Sequence, residues 1–302
     1  MSSAPVWLWI PITIGAALAQ NVRTAVQRKL KDRLSTNGAN YTRFVFGVPL
    51  AAGWVALLHF SGGFALPAPS VRFIASVALG GVAQIVATSL LLEATARRSF
   101  AAGIAYSKTE AVQAALFETL VLGAALSAGG ALAIAVATAG VLLISLARPG
   151  AAENGWRDPA IWLGLGSGGL FAISAVGFRS ASLSLAPASY LMSAGYTLLF
   201  AQALQTALLG GWLAWREPGQ LAAVRANWRV ASLAGVTGTL ASAGWFTAMT
   251  LQIVAYVRTL GLVELLFTFA VGRIAFRESP TRGELAGALL LAVGIAQVLN
   301  AR

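Results

Sequence analysis

The sequence predicts an all-α integral membrane protein whose ten transmembrane helices form two inverted repeats of five helices each. Of its 302 residues, 58% are hydrophobic and only 10% are charged, whereas soluble domains carry about 25% charged residues. Its apolar runs reach the ~20 residues that a helix needs to cross a bilayer, and they lack the strict alternation of barrel strands. Its two halves also match at a fixed offset. These observations exclude a soluble globular domain.

Ten apolar runs are predicted to form the spanning helices. They cover residues 5–27, 39–60, 72–95, 101–123, 129–147, 159–181, 187–214, 229–252, 255–275 and 282–300. Turn-forming residues separate several of the runs, at Pro67-Ala68-Pro69, Arg148-Pro149-Gly150, Glu217-Pro218-Gly219 and Ser279-Pro280-Thr281. The first run resembles a secretion signal, but residues 1–22 contain no Lys or Arg. We therefore expect this helix to be retained.

The composition excludes several kinds of site. The chain has no Cys and a single His, His59, so no Cys-ligated or multi-His metal site is expected, and no cofactor either. The net charge of +11 comes mostly from basic residues at the ends of apolar runs, which is typical of membrane anchors and not of a nucleic-acid surface.

A search of the sequence for the motifs of common enzymes identifies no catalytic residue. The segment Gly164-Leu165-Gly166-Ser167-Gly168-Gly169 fits a dinucleotide-binding pattern, but no strand precedes it, so we expect it to serve helix packing. The sequence contains no phosphate-binding loop and no hydrolase motif. We therefore predict that the chain is not an enzyme.

The two halves of the chain, residues 1–150 and 151–302, are predicted to be structural repeats. The pairs that match at an offset of 154 are Glu110 with Glu264, Gly129 with Gly283, Ala133 with Gly287 and Gly140 with Gly294. Because each half has an odd number of helices, the second half would enter the membrane inverted. Inverted repeats place a binding site near the midplane of the membrane and permit alternating access, which favours a secondary transporter.

The ends of the two halves carry a family resemblance. The second half contains Val263-Glu264-Leu265-Leu266-Phe267, the turn Phe276-Arg277-Glu278-Ser279-Pro280-Thr281, and the glycines Gly283 and Gly294. The first half keeps Lys108-Thr109-Glu110 but has Ala124 where the turn would carry an acid. Over nearly its whole length, the chain resembles the EamA-like ten-helix branch of the drug/metabolite transporter superfamily. The resemblance implies a multi-pass transporter of the cell (inner) membrane without identifying its substrate.

Ionisable residues inside the predicted spans are the first candidates for a binding site, because they are costly there unless they are paired or hydrated. Glu110 and Glu264 lie at mid-depth and at equivalent positions of the repeat. Helical spacing places Tyr106 and Gln113 on the same stripe as Glu110, which suits a wet cavity for a substrate or a proton. Lys108 either binds an anionic group or neutralises an acid of another helix. The alternative role for both acids is a buried ion pair that joins helices.

Five further side chains complete the predicted substrate-binding set. Arg258 is a second candidate partner for such an ion pair, or it snorkels to the interface. Arg43, near Tyr41, is either a cavity wall or an anchor. Gln20 lies on a polar stripe of the first helix that suits an access path. Trp245 is either a cavity aromatic or a core residue.

Together, the repeat and the intramembrane acids predict a secondary transporter that exports a small polar or amphipathic metabolite by alternating access, driven by proton exchange or by the substrate gradient. The mixed charge favours a zwitterionic or anionic metabolite. The predicted partners are this small molecule, the lipid bilayer and protons as a coupling ion, without nucleic acid. An intramembrane enzyme or a lipid-handling protein is the alternative. Loop charges place both termini outside, whereas the resemblance implies inside, and both monomer and homodimer stay open.

Overall fold

The computed structural model describes residues 4–30, 32–96, 106–147, 157–267 and 281–300. These residues fold into helices, and no strand is found among them. The helices are α1 Trp9–Leu30, α2 Thr36–Val45, α3 Val48–Phe60, α4 Val71–Ala96, α5 Glu110–Leu122, α6 Ala128–Leu146, α7 Pro159–Leu183, α8 Tyr190–Arg216, α9 Pro218–Ala226, α10 Trp228–Leu251, α11 Val254–Gly261 and α12 Arg282–Asn300. A further helical stretch covers residues 263–267.

Each of the ten predicted apolar runs contains a helix, so the all-α class is confirmed. Within the described ranges, six segments are long and apolar enough to cross a membrane: Thr36–Phe60, Val71–Leu91, Ala128–Leu146, Pro159–Leu183, Tyr190–Arg216 and Arg282–Asn300. Ten spans and their inverted arrangement stay predictions. The turn at residues 276–280, on which part of the family resemblance rests, lies outside the described residues.

The predicted run 39–60 is interrupted where α2 ends and α3 begins. Pro49 lies in the first turn of α3, where its missing N–H leaves no intrahelical bond unmade. A Cβ atom at Gly47 would lie 2.5 Å from the carbonyl oxygen of Arg43 and 2.6 Å from Thr239 Oγ1. Only glycine fits this close approach to α10. The short helix α9, which begins at Pro218, lies outside the ten predicted runs.

The chain packs as two compact units. Unit 1 contains Met1–Ile85 and Gly177–Gln252, and unit 2 contains Val86–Val176 and Ile253–Arg302. Each unit combines segments from both halves of the sequence. The packing units therefore differ from the predicted repeats of residues 1–150 and 151–302, which concern internal symmetry and stay a prediction.

In unit 1, α1 packs along α10, while α2 and α3 pack against α8. Gly244 of α10 permits the first contact, because a Cβ atom there would lie 2.8 Å from Ala16 Cβ. The carboxylate of Glu217 accepts hydrogen bonds from Ser35 Oγ and Asn37 Nδ2. These bonds hold the beginning of α2 against the end of α8.

In unit 2, α6 and α12 pack through glycines that the repeat treats as equivalent. A Cβ atom at Gly140 would lie 2.5 Å from the backbone nitrogen of Leu291 and 2.7 Å from the carbonyl oxygen of Gly287. A Cβ atom at Gly294 would lie 2.5 Å from the backbone nitrogen of Ala137. Small residues of this kind let membrane helices approach closely enough for backbone contact.

We expect Gly140→Ala to lower the thermal stability of the purified protein, because the new methyl group would meet backbone atoms of α12. Overpacking of this kind costs about 1–3 kcal/mol. Gly129→Ala is the matched control in the same helix, since a Cβ atom there meets nothing within 4 Å. The unfolding midpoint in detergent, followed by tryptophan fluorescence, is the measurement. Equal midpoints for the two variants would contradict the close α6–α12 contact.

Candidate functional site

The two predicted acids lie in unit 2, on neighbouring helical segments. Glu110 is the first residue of α5, where its carboxylate is favourably placed at the positive end of the helix dipole. Glu264 lies in the helical residues 263–267, shortly after α11. Because α11 packs against α5, both acids have basic side chains from the other segment within reach.

Lys108 and Glu264 form the first ion pair of the site. Lys108 Nζ donates a hydrogen bond of 2.6 Å to Glu264 Oε1. The side chains are 24% and 10% exposed, respectively, so solvent screens the pair only partly. Charge-assisted hydrogen bonds of this length are among the stronger ones in proteins. Lys108 thus neutralises an acid of another helix, which is one of the two roles that the sequence left open.

Arg258 and Glu110 form the second ion pair. Arg258 lies in the last turn of α11, and its Nε is 2.9 Å from Glu110 Oε1. Each of these side chains is 15% exposed. Of the two roles predicted for Arg258, an ion pair with an acid of another helix or snorkelling to the interface, the structure shows the ion pair.

The two ion pairs cross between the halves of the sequence. Each acid is paired with a base from the opposite half, and the two acids are the positions that the repeat treats as equivalent. The four side chains carry no net charge together. Removing one partner of a buried pair leaves an uncompensated charge, which is strongly destabilising. A proton or a ligand that binds one carboxylate would therefore compete directly with its basic partner.

Tyr106 and Gln113, which flank Glu110 in the sequence, both take part in hydrogen bonds with Thr109, Tyr106 through its backbone and Gln113 through its side chain. Thr109 Oγ1 donates to the carbonyl oxygen of Tyr106 at 2.6 Å, and Gln113 Nε2 donates to Thr109 Oγ1 at 2.9 Å. A Cβ atom at Gly169 would lie 2.6 Å from Gln113 Oε1. A Cβ atom at Gly168 would also lie 2.7 Å from the backbone carbonyl oxygen of Ser107. The glycine-rich segment of α7 therefore packs closely against the chain around the beginning of α5, as predicted. A cavity wall formed by Tyr106 and Gln113 stays a prediction.

The remaining predicted residues lie in unit 1, where the structure pairs two of them. Trp245 Nε1 donates to Gln20 Oε1 at 3.1 Å, so α10 and α1 are joined by a buried indole. Tyr41 packs against α8, since a Cβ atom at Gly210 would lie 3.1 Å from its ring. Arg43 is buried on α2. A substrate-binding role for these four residues stays a prediction.

Two ionisable residues that bond to backbone groups far along the chain were absent from the predicted set. Glu118 is 1% exposed, and its Oε2 accepts a hydrogen bond of 2.7 Å from the backbone N–H of Val254, at the first residue of α11. Arg179 donates to the carbonyl oxygens of Met249 and Gln252, at the end of α10. Both are ionisable groups within predicted apolar runs, and that property was the available signal for finding them.

Comparisons with known proteins establish the fold alone. No protein-family model matches the chain, and no curated protein matches it. Among solved structures, one described as "Crystal structure of protein" is similar to this chain with a TM-score of 0.69 and 16% sequence identity, over 97% of each chain. The similarity therefore extends over almost the whole chain, and at this identity it says nothing about substrate or mechanism.

Proposed function

We propose that the chain is a secondary transporter of the cell (inner) membrane, an EamA-like member of the drug/metabolite transporter superfamily that exports a small polar or amphipathic metabolite. Six segments long and apolar enough to cross a bilayer support the membrane location. Large apolar side chains on the outside of the helices support it too, among them Leu120 at 73% and Leu289 at 68% exposure. In water such a surface would be an aggregation liability, whereas lipid covers it.

The observation that carries the proposal is the crossed arrangement of the two ion pairs. Ionisable side chains inside spans are expensive and are commonly part of substrate or proton pathways. In the proposed mechanism, a substrate ammonium group or a proton binds a carboxylate and releases Lys108 or Arg258. Both pairs join the beginning of α5, at Glu110 and at Lys108 just before it, to the segment that contains α11 and Glu264. Losing one pair should therefore change how these helices pack. Such coupling gives the ligand different affinities for two conformations, which alternating access requires.

Counterflow in proteoliposomes tests this proposal. The purified full chain is first screened by thermal shift against amino acids, organic acids, nucleosides and sugar phosphates. The most strongly stabilising compound is then loaded into proteoliposomes, and uptake of its radiolabelled form is measured. We expect saturable accumulation of the unchanged compound, and none in protein-free liposomes.

Two outcomes would contradict transport. Chemical conversion of the compound would support an intramembrane enzyme instead. Accumulation equal to that of protein-free liposomes, for a compound that demonstrably stabilises the protein, would show that binding is not followed by exchange.

A further inference from the structure

A small polar cavity in unit 1 lies between α2, α4, α8 and α10. The polar residues that line it are Arg43, Gln84, Gln202, Gln205 and Ser242. Its volume is about 10 Å³, which is room for roughly one water molecule. The cavity therefore combines one cation with several amide groups at the centre of four helices.

Arg43 lines this cavity, and no counter-ion for it is found in the part of the chain that the structure describes. Arg43 is only 8% exposed, and its guanidinium carbon lies 4.4 Å from the centre of the Phe44 ring. Among the described residues, Nε of Arg43 has no hydrogen-bond partner, and no carboxylate is among the described residues that line the cavity. Buried arginines are normally paired, because desolvation of a lone charge costs several kcal/mol.

The composition of unit 1 offers no acid for this role. Its sequence contains eleven of the 21 Lys and Arg residues but only two of the ten acids, Asp32 and Glu217. Asp32 is exposed, and Glu217 is engaged by Ser35 and Asn37. Neither acid lines the cavity. Unit 1 therefore places no acidic side chain beside Arg43 that could balance its charge.

A second arginine and an unsatisfied amide lie close to the same place. A Cβ atom at Gly238 would lie 3.2 Å from Arg43 Cβ and 3.3 Å from Arg23 Cδ, so the stems of the two arginines pack on one backbone position. Gln202 Nε2 donates to Thr239 Oγ1, whereas its Oε1 is buried without a partner among the described residues. Two neighbouring cations repel each other, and an anion between them removes that repulsion.

We propose that this cavity binds the oxyanion of a small ligand, a carboxylate or a phosphate, with Arg43 as its principal partner. A guanidinium matches both groups because its planar fork donates two parallel hydrogen bonds. Since the cavity holds only about one water as it stands, the surrounding helices must separate to admit a larger ligand. The site belongs to unit 1 and does not depend on the transport role proposed for the acids of unit 2.

Anion-dependent stabilisation of the purified full chain tests the site. The protein, in an uncharged detergent, is titrated with sodium acetate or sodium phosphate, with sodium chloride of equal ionic strength as reference. We expect a saturable rise of the unfolding midpoint that chloride does not give. In Arg43→Gln the apparent Kd should rise at least about tenfold, whereas Arg72→Gln, an exposed control in unit 1, should respond like the wild type.

The stability of Arg43→Gln without added oxyanion distinguishes a binding role of Arg43 from a packing role. Without added oxyanion, Arg43→Gln should unfold no earlier than the wild type, because it removes a buried charge that lacks a counter-ion. If Arg43→Gln does not fold, Arg43→Lys decides the matter. A several-fold weaker response in Arg43→Lys supports the site, since lysine lacks the planar fork, and an unchanged response contradicts it.

Measurements in nanodiscs distinguish a lipid headgroup from a free anion as the source of the oxyanion. The same titrations are made in phosphatidylcholine alone and with added phosphatidylglycerol. A rise that needs phosphatidylglycerol, and that Arg43→Gln abolishes, identifies a lipid headgroup as the ligand. A rise with acetate or phosphate in phosphatidylcholine alone identifies a free anion. If no anion or lipid stabilises the protein in a manner that depends on Arg43, the proposal is wrong.

Discussion

Replacing Glu264 by Gln is expected to destabilise the protein by about 2 kcal/mol, because it leaves the ammonium group of Lys108 without its counter-ion. Breaking a fully buried pair costs about 3–5 kcal/mol, and the partial exposure of Lys108 reduces this figure. The measurement is the unfolding midpoint of the purified protein in detergent. Glu284→Gln is the matched control, since it makes the same chemical change at an exposed helix start.

Exchanging the two charges tests whether the loss comes from this pair. The double variant Lys108→Glu with Glu264→Lys keeps one acid and one base at the same two positions. It should recover most of the stability that Glu264→Gln loses, because attraction across the pair is restored. If Glu264→Gln is no less stable than Glu284→Gln, the pair contributes nothing measurable and its proposed importance is lost.

A comparably large effect is expected for Glu118→Ala. The substitution removes the carboxylate that accepts the N–H of Val254 and leaves that buried donor unsatisfied. Losing a charged hydrogen bond and a helix cap together costs about 2–3 kcal/mol. Without this acceptor, the first turn of α11, the helix that carries Arg258, should open more often. Hydrogen exchange of the amides in residues 254–261 should therefore accelerate.

Two variants control this experiment. Glu118→Gln keeps an acceptor oxygen for Val254, so it should cost clearly less than the alanine variant. Thr119→Ala changes the next residue, whose hydroxyl donates within α5 at an exposed position, and it should leave exchange in α11 unchanged. Equal exchange rates in α11 for Glu118→Ala and Thr119→Ala would show that the carboxylate does not hold the helix start.

The helices were predictable from the sequence because long apolar runs with few charges have few other stable structures in a bilayer. The interruption between α2 and α3 was harder to predict from the sequence. The run 39–60 is apolar over most of its length, and the need for glycine at Gly47 comes partly from Thr239, on a helix far along the chain. The polar helix α9 was missed because its sequence forms no apolar run.

The candidate site was predictable as a set of residues and not as a set of contacts. Charge inside an apolar run identifies Lys108, Glu110, Arg258 and Glu264 from sequence alone. Their crossed pairing depends on how α11 packs against α5, and residue spacing along one helix carries no information about that packing. Glu118 caps a helix that begins 136 residues later, and no local pattern indicates such a distant partner.

We propose that the crossed ion pairs take part in exchange and do more than hold helices together. Counterflow of the best stabilising compound, measured over a range of pH in the wild type, Glu264→Gln and the charge-exchanged double variant, tests it most directly. We predict at least about a tenfold loss of exchange in both variants. The double variant should lose exchange even though it regains stability, because its acid then lies at position 108 and not at position 264. Exchange restored to the wild-type rate and pH dependence in the double variant would show that the pair is only structural and would contradict the claim.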